Sequence, residues 1–256
     1  MVISKLQLDL TARSDIKLGS YLGPLFQGVL MELIQPEYAD FLHVSSLHPY
    51  SQFTRKTEGG LTWTVNTLDT ASRSNIIGTL SSIDLTDLTL RRKDTQFHIT
   101  GRKLEEITYD ELLDRCYMGE QCSPYITIEF LSPTAFKSNG KYVIFPTAQL
   151  ILSSLAKKYD ACSTGSKVCD ELLFDYISDN VQIVEYSLRS TKFPMEGITI
   201  PSFIGSVKLK CTGNKEFRSL MNMLLKFGEY SGVGIKNSMG MGAIRLKEQG
   251  GNKSDG

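Results

Sequence analysis

The sequence predicts an α+β fold made of two similar halves, with a glycine-rich loop near the end of the second half. Three observations lead to this prediction. The succession strand, helix, strand, strand, helix, strand can be followed twice along the 256 residues. The strands alternate apolar and polar residues, whereas the helices repeat apolar residues at helical spacing. With 41% hydrophobic and 22% charged residues, the composition is that of an ordinary globular protein, and the length suits two domains of about 100 to 130 residues.

The first half begins with an alternating strand at residues 3–10. Next comes a helix whose apolar face runs from Leu22 to Leu33 and is closed by Pro36. A short helical turn follows and ends on His43. The remaining expected elements are a hairpin turning at Gly59-Gly60, a weaker helix at 71–80, and strands at 83–90 and 96–107. This order is that of a ferredoxin-like unit, an arrangement also found in RNA-recognition (RRM) domains.

The second half repeats the order after a spacer with a short helix at 109–115. The expected elements are strands at 126–130, 141–145, 181–188, 198–211 and 243–246, and helices at 147–159 and 215–227. Asn214 is the expected N-cap of the last helix, and Gly228 its expected C-terminal stop. We therefore predict two tandem ferredoxin-like domains, 1–122 and 123–247. The tail 248–256 lacks apolar residues and is expected to be disordered.

Charge and cysteine content restrict the class of protein. The 28 Lys and Arg residues balance 28 Asp and Glu residues, so the whole chain exerts no net attraction on nucleic acid. Residues 181–247, however, hold ten basic and four acidic residues, which favours a polyanionic ligand there. No apolar run approaches a membrane span, so we expect a cytoplasmic protein. The five cysteines form no Cys-x-x-Cys pair, which indicates neither a disulfide framework nor a zinc site.

The glycine-rich loop contains two Gly-x-Gly pairs that bracket a central lysine. The residues predicted to bind RNA or another polyanion are Gly232, Gly234, Lys236, Asn237, Ser238, Gly240 and Gly242. Glycine at alternate positions lets a sugar-phosphate backbone approach the main chain and permits turns with positive φ. The loop follows a helix and precedes a strand, the reverse of a dinucleotide-binding fingerprint, and it lacks the Gly-Lys-Ser/Thr ending of a nucleoside-triphosphate loop. A plain hairpin between helix and strand is the alternative.

The candidates for acid/base chemistry are few. The chain has three histidines, His43, His48 and His98. His98 lies in an alternating strand and is expected to be structural, whereas His43 and His48 lie at a helix end and in the following loop, where catalytic groups are often presented. No carboxylate pair shares a helix face with a histidine, so we expect no metal site and no cofactor.

With these motifs in place, the chain resembles the CRISPR-associated endoribonucleases that process repeats, within the repeat-associated mysterious protein (RAMP) superfamily, and is most similar to members from type III systems. Three motifs in the family's order carry the resemblance across nearly the whole chain. They are a helix ending in Leu42-His43, the segment Ser132-Pro133-Thr134-Ala135-Phe136, and the loop Gly232 to Gly242.

The resemblance implies two ferredoxin-like domains that bind the repeat of a precursor CRISPR RNA and cut it once per repeat. His43 occupies the position of the family's general acid/base, with His48 an alternative or auxiliary residue. The family's helix tyrosine and loop lysine correspond to Met31 and Ser46, which cannot fulfil those roles. The nearby residues that could replace them are Tyr38, His48, Tyr50, Arg55 and Lys56, and the sequence does not choose among them.

RNA carries its own nucleophile, the 2′-OH, so cleavage requires in-line positioning and proton transfer and does not require a metal. The expected products carry a 2′,3′-cyclic phosphate and a 5′-OH. The alternative function is that of a non-catalytic RAMP-type subunit that binds CRISPR RNA in an effector complex. Expected partners are the precursor repeat and, transiently, type III effector proteins, with the chain a monomer or homodimer and no membrane association.

Overall fold

The structure is a computed structural model that describes residues 1–117, 123–165 and 167–247. The expected domain boundary near residue 122 and the expected disordered tail 248–256 lie outside the described residues. None of the helices in the described ranges combines the length and the apolar content that crossing a bilayer would require.

The first half forms a five-stranded antiparallel sheet. Its strands are β1 (Val2–Ala12), β2 (Tyr50–Thr57), β3 (Gly60–Thr67), β4 (Asp87–Leu90) and β5 (Thr95–Thr108). They are arranged in the order β2-β3-β1-β5-β4. Without the short edge strand β4, this is the strand order of a ferredoxin-like domain, so the predicted fold of the first half is confirmed.

Two helices, α1 (Gly23–Leu33) and α2 (Pro36–Val44), separate β1 from β2. Pro36 ends the periodicity of α1 as expected, and it also begins α2, since proline is tolerated in the first turn of a helix. Between β3 and β4 the chain is helical from 70 to 80, as α3 (Thr70–Ser72), a π-helical turn (Arg73–Ile77) and α4 (Gly78–Leu80). Phe26 of α1 packs against Trp63 and Phe97 of the sheet, with ring centroids 4.9 and 5.4 Å apart.

The second half forms a four-stranded sheet in the order β11-β6-β10-β9, again that of a ferredoxin-like domain. Its strands are β6 (Tyr125–Thr134), β9 (Val181–Met195), β10 (Ile198–Cys211) and β11 (Ile244–Lys247), and a separate hairpin pairs β7 (Phe136–Ser138) with β8 (Lys141–Val143). The helices are α5 (Tyr109–Tyr117), α6 (Ala148–Cys162), α7 (Glu171–Asn180) and α8 (Lys215–Ser231). Residues of both halves, among them Ile3, Tyr109 and Phe227, belong to one buried apolar cluster that joins the two domains.

Two details of the last helix test the sequence interpretation. Asn214 is the N-cap, because its side-chain oxygen accepts a hydrogen bond from Phe217 N at 2.9 Å. The expectation that Gly228 stops the helix is wrong, since α8 continues to Ser231 and ends at Gly232, where φ is 66°. Gly228 is needed inside the helix for close packing, because a Cβ there would lie 2.8 Å from Ile244 Cδ1 and 3.0 Å from Leu155 Cδ2.

Candidate active site

The glycine loop, residues 232–242, is a compact structure that is mostly buried. All four glycines of the two pairs have positive φ, from 66° at Gly232 to 105° at Gly240. Val233 N donates to Gly242 O at 2.8 Å, and Gly242 N donates to Pro133 O at 3.1 Å. The loop is therefore closed on itself and attached to the end of β6.

Three of these glycines are required because any side chain there would clash with atoms of the protein itself. A Cβ at Gly242 would lie 2.0 Å from Val233 O, and one at Gly234 would lie 2.3 Å from Ala135 O. At Gly240 it would lie 3.1 Å from the Cα of Gly23, at the start of α1. The loop glycines therefore do approach backbone closely, as expected. In the protein alone, the backbone that they approach is that of the protein itself. Direct contact of these glycines with RNA stays a prediction.

Asn237 and Lys158 hold the loop from within. The Asn237 side-chain amide donates to Val233 O at 2.9 Å and to Met241 O at 3.1 Å, while its oxygen accepts from Lys158 Nζ at 2.6 Å. Lys158 Nζ also donates to Ser231 O at 2.8 Å. Burial lowers the pKa of Lys158 to about 8. Asn237 is predicted from sequence to bind RNA, whereas in the structure its side chain makes its hydrogen bonds to Val233, Met241 and Lys158.

Gln52 attaches the loop to the first half. Its amide nitrogen donates to Gly23 O at 2.8 Å and to Ser238 O at 2.9 Å, and its oxygen accepts from Trp63 Nε1 at 2.6 Å. The Gln52 side chain is buried, so all three hydrogen bonds are made away from bulk water. The glycine loop is consequently fixed to both domains at once.

A cavity of about 400 Å³ lies between the glycine loop and the segment that follows α2. We call it the histidine cavity. Its lining consists of Ser45, Ser46, Leu47, His48 and Tyr50 on one side and Gly234, Ile235, Lys236, Asn237, Ser238 and Met239 on the other, with Lys158 also in the lining. A cavity of about 550 Å³ between α1 and residues 91–93 is larger but contains no histidine. Acid/base chemistry therefore points to the histidine cavity.

His48 is half-buried in this cavity, and its ring stacks on Tyr50 at 5.6 Å between centroids with 5° between planes. Its Nδ1 is buried and has no hydrogen-bond partner. Burial is the main cause that lowers the pKa of His48, and the nearby charges of Lys158, Lys236 and His43 lower it further against a backbone hydrogen bond at Leu42 that raises it. His48 is therefore neutral at pH 7 and able to accept a proton.

His43 lies in the last turn of α2 and is exposed to solvent. It does not line the histidine cavity itself, but its charge acts on His48, so the two rings belong to one neighbourhood. Lys236 lines the glycine-loop side of the cavity that holds His48, as an exposed residue in the left-handed conformation, with φ 57°. The arrangement thus combines two imidazoles with a cation on the opposite wall.

The residues that could replace the missing tyrosine and lysine are distributed unevenly. Of these residues, His48 and Tyr50 line the histidine cavity, as does Ser46, which occupies the position of the family's lysine. The Tyr50 hydroxyl is buried, and burial raises its pKa to about 12 although the nearby side chains of Gln27 and Ser238 act in the opposite direction.

The other positions lie away from the cavity lining. Met31 packs on the core of the first half. The Tyr38 hydroxyl is buried near Asp69 and Ser72, and burial is the main cause that raises its pKa. Arg55 and Lys56 are exposed on β2. His98 is structural as expected, since its Nδ1 lies 3.4 Å from Asp87 Oδ1 on the far edge of the sheet.

Sequence reasoning missed Lys158 and Gln52. Lys158 carries a signal, because it lies on the same helical stripe as Ile151, Leu155 and Cys162, all of which are buried. A lysine on an apolar face is rarely buried unless it is paired. Gln52 carries no such signal, since a single polar residue at the start of a strand is ordinary. Within the described ranges, no group of three or more His, Cys, Asp or Glu residues could hold a metal ion.

Comparisons with known proteins fit this geometry. A family model described as the CRISPR-associated endoribonuclease Cas6 matches residues 128–244. A Cas6 endoribonuclease of Streptococcus thermophilus is 34% identical over 227 residues, covering 88% of this chain and 90% of the relative. One of Mycobacterium tuberculosis (strain CDC 1551 / Oshkosh) is 34% identical over 248 residues, 96% of this chain and 78% of the relative. A solved Cas6 product complex superposes with a TM-score of 0.80 at 23% identity, over 97% of this chain and 100% of the other.

Proposed function

The chain belongs to the Cas6 family of CRISPR-associated endoribonucleases, and we propose that it binds the repeat of a precursor CRISPR RNA and cuts it once per repeat to mature the guide RNA. The observation that carries this proposal is the histidine cavity, where His48, with His43 beside it, faces Lys236 across a space of about 400 Å³. The reaction class is inferred from the relatives, which are endoribonucleases, and the cavity contains residues suited to that reaction.

The reaction proposed for this cavity is attack by the 2′-OH on the adjacent phosphate, which leaves a 2′,3′-cyclic phosphate and a 5′-OH. The nucleophile belongs to the substrate, so the protein has only to align it, remove its proton and protonate the departing 5′-oxygen. Imidazole groups suit both proton transfers near neutral pH. No step of this reaction requires a metal ion or a cofactor.

His43 is proposed as the general acid/base, with His48 as the auxiliary residue. His43 is exposed, so it can reach a bound RNA strand, while His48 is half-buried and neutral with one ring nitrogen unpaired. The neutral imidazole of His48 is suited to accept the proton of the 2′-OH, while the exposed imidazole of His43 donates a proton to the leaving oxygen. The Tyr50 hydroxyl, on the ring that stacks on His48, is a further donor in the cavity.

Lys236 is proposed to contact the phosphate at the cut. Its side chain is exposed on the wall opposite His48, where a cation stabilises the charge that develops on the phosphate oxygens. The adjacent residues Gly234, Asn237 and Ser238 line the same wall, with Asn237 and Ser238 buried. They shape the surface on which the RNA backbone would lie.

We further propose that the protein acts in the cytoplasm as a monomer or homodimer and transfers the mature RNA to type III effector proteins through transient contact. The excess of basic residues between 181 and 247 supports a nucleic-acid ligand for the second half. Gel filtration with light scattering, alone and with repeat RNA, measures the oligomeric state directly.

The test of the proposed function is to incubate the purified protein with labelled repeat RNA from its own locus in EDTA. We expect one cut per repeat, a 5′-OH on one fragment and a 2′,3′-cyclic phosphate on the other. A 2′-deoxy nucleotide immediately upstream of the cut removes the nucleophile, so it should block cleavage and leave binding largely intact. A product with a 5′-phosphate, or a strict need for Mg²⁺, would show that metal-activated water is the nucleophile. Binding without any cleavage would favour a non-catalytic subunit.

A further inference from the structure

Lys158 is a charged residue on the apolar face of α6, with an exposed fraction of only 7%. Its neighbours on that face, Ile151, Leu155 and Cys162, are buried core residues. Burying an ammonium group costs several kcal/mol unless its N–H groups are paired. An apolar residue would fill this position at lower cost, so the interactions made by the ammonium group are the reason to look for a role.

The ammonium group connects two parts of the C-terminal segment. It donates to Ser231 O, at the last residue of α8, at 2.8 Å and to Asn237 Oδ1 in the glycine loop at 2.6 Å. The C-terminal end of a helix carries partial negative charge, which favours a cation at Ser231. Among the described residues, two ionisable groups interact electrostatically with Lys158. They are His48, in the loop after α2, and Cys162, on α6 itself. The positive charge is therefore held by carbonyl and amide oxygens.

Through Asn237 the contact reaches both ends of the loop. The oxygen of the Asn237 amide must face Lys158, because only an oxygen can accept from an ammonium group. The amide nitrogen then points the other way and donates to Val233 O at 2.9 Å and Met241 O at 3.1 Å. Lys158 thus fixes the orientation in which Asn237 closes the glycine loop.

The residue that precedes Asn237 is Lys236, which has φ 57°. A non-glycine residue in this region costs on the order of 1 kcal/mol and persists only where surrounding contacts impose it. Lys236 O accepts from Met239 N at 3.0 Å and from Met241 N at 3.2 Å. The Asn237 side chain holds Met241 in place through its hydrogen bond to Met241 O, so it supports the contacts that keep Lys236 in this conformation. In this position Lys236 lines the histidine cavity, and its charge acts on His48.

We infer that Lys158 is a positioning residue for cleavage: through Asn237 it holds Lys236 in the left-handed conformation that faces His48 across the histidine cavity. This inference rests on the proposed function of the same cavity. It assigns Lys158 no contact with RNA. Its effect on the reaction is to align Lys236, which is distant in sequence but lines the same cavity.

The test compares Lys158→Met with Lys157→Met. Methionine keeps the length and apolar surface of the buried side chain and removes its charge, and Lys157 is the neighbouring lysine on the exposed face of the same helix. Small misalignment of a catalytic group costs up to about 100-fold, so Lys158→Met should slow single-turnover cleavage at saturating protein by about 10- to 100-fold. The dissociation constant for repeat RNA should stay near wild type, and Lys157→Met should cleave like wild type.

Two further variants separate positioning from general stability. If Lys158 acts through Asn237, Asn237→Leu should slow cleavage similarly, and the double variant should be no slower than the slower single variant. Lys158→Gln, which keeps a donor without the charge, is the milder change should methionine prevent folding. In either folded Lys158 variant, amide hydrogen exchange should rise in residues 232–242 and remain unchanged in the sheet of the first half.

Several results would overturn the inference. Wild-type rates in Lys158→Met, or a slow Lys158→Met beside an unaffected Asn237→Leu, would show that Lys158 does not act through Asn237. Unchanged exchange in the glycine loop would do the same. Failure of the wild-type protein to cut repeat RNA is a different result, because it contradicts the proposed function, and the exchange measurement then still decides whether Lys158 orders the loop.

Discussion

The two walls of the histidine cavity are held in very different ways. The glycine loop is fixed by buried hydrogen bonds from Lys158, Asn237 and Gln52. Its glycines also pack closely against backbone, because a Cβ added at Gly234, Gly240 or Gly242 would lie 2.0 to 3.1 Å from a backbone atom. The opposite wall, within residues 45–50, holds a half-buried His48 with an unpaired ring nitrogen, and an exposed His43 lies just before this wall in α2. One wall is a rigid support, and the other presents groups whose hydrogen-bonding capacity is unused.

This difference predicts which substitutions should change both stability and activity and which should change activity alone. A buried donor or acceptor that loses its partner destabilises the fold, whereas an exposed side chain with no partner can be changed at little cost to folding. Substitutions in the glycine loop should therefore affect folding and reaction together. Substitutions of the histidines should affect the reaction alone.

The largest effect is expected at His43. His43→Ala should slow single-turnover cleavage of repeat RNA by about 10²- to 10⁴-fold, the usual contribution of a general acid/base. Because the side chain is exposed, the free energy of unfolding should change by less than about 0.5 kcal/mol. Rapid quench kinetics and chemical denaturation measure the two quantities.

The control for His43 is His98→Ala, since His98 is an exposed histidine on β5 next to Asp87. It should cleave at the wild-type rate. His48→Ala should have a smaller effect than His43→Ala. A normal rate for His43→Ala together with loss of cleavage in His48→Ala would transfer the principal role to His48.

The next effect concerns the rigid wall. Gly242→Ala places a Cβ 2.0 Å from Val233 O at a residue with φ 74°, so steric overlap and backbone strain combine. The free energy of unfolding should fall by about 3 kcal/mol or more, with cleavage reduced in parallel. Urea denaturation followed by circular dichroism gives the change in stability.

Gly197→Ala is the matched control for Gly242→Ala. Gly197 has φ 73°, but no atom lies within 4 Å of its hypothetical Cβ. It therefore isolates backbone strain, which costs about 1 to 2 kcal/mol. Equal losses in the two variants would mean that the glycine loop relaxes around the added methyl group and is not a rigid support.

The same contrast explains what the sequence could and could not predict. Alternation located β10 at Ile198–Cys211 with its observed bounds, because every second residue of a strand faces the core. Helix α7 was missed, since only Leu173 and Ile177 are buried and Leu172 is largely exposed, which leaves little periodicity. Local patterns identify elements when burial is regular along them.

The site was predictable in the same partial way. The spacing of the glycines indicated a close approach of backbone, and this is present. The partners of that approach, such as Ala135 and Gly23, are far away in sequence, so no local pattern reveals them. Lys158 and Gln52 belong to this class, because their roles depend on tertiary contacts with residues 231–238. Sequence thus located the loop and the histidines, and only the fold identified what holds them.

A smaller effect is expected from the titration of Lys158. Its pKa falls from 10.5 to about 8 on folding because of burial, so between these values the unfolded chain binds more protons than the folded one. The free energy of unfolding should therefore rise with pH in this window, by at most about 1.4 kcal/mol per pH unit, relative to Lys158→Met. Denaturation of both proteins at pH 8, 9 and 10 measures the difference, and a difference that falls as pH rises would contradict the burial of a charged amine.

The smallest change in stability, and the one that separates the walls most sharply, is expected at Lys236. This residue combines the left-handed backbone of the rigid wall, with φ 57°, with an exposed side chain like those of the reactive wall. Lys236→Gly removes the backbone strain and adds chain entropy to the unfolded state, so the net gain in the free energy of unfolding should be at most about 1 kcal/mol. Lys236→Ala removes the same charge and retains the strain, so it should show no gain. Both variants should weaken binding of repeat RNA and reduce the salt slope by about one unit if Lys236 contacts a phosphate. Thermal denaturation and salt-dependent binding therefore report the two properties independently. A salt slope unchanged in both variants would remove Lys236 from the RNA contact surface, whereas a loss of stability in Lys236→Gly would show that the lysine side chain itself supports the loop.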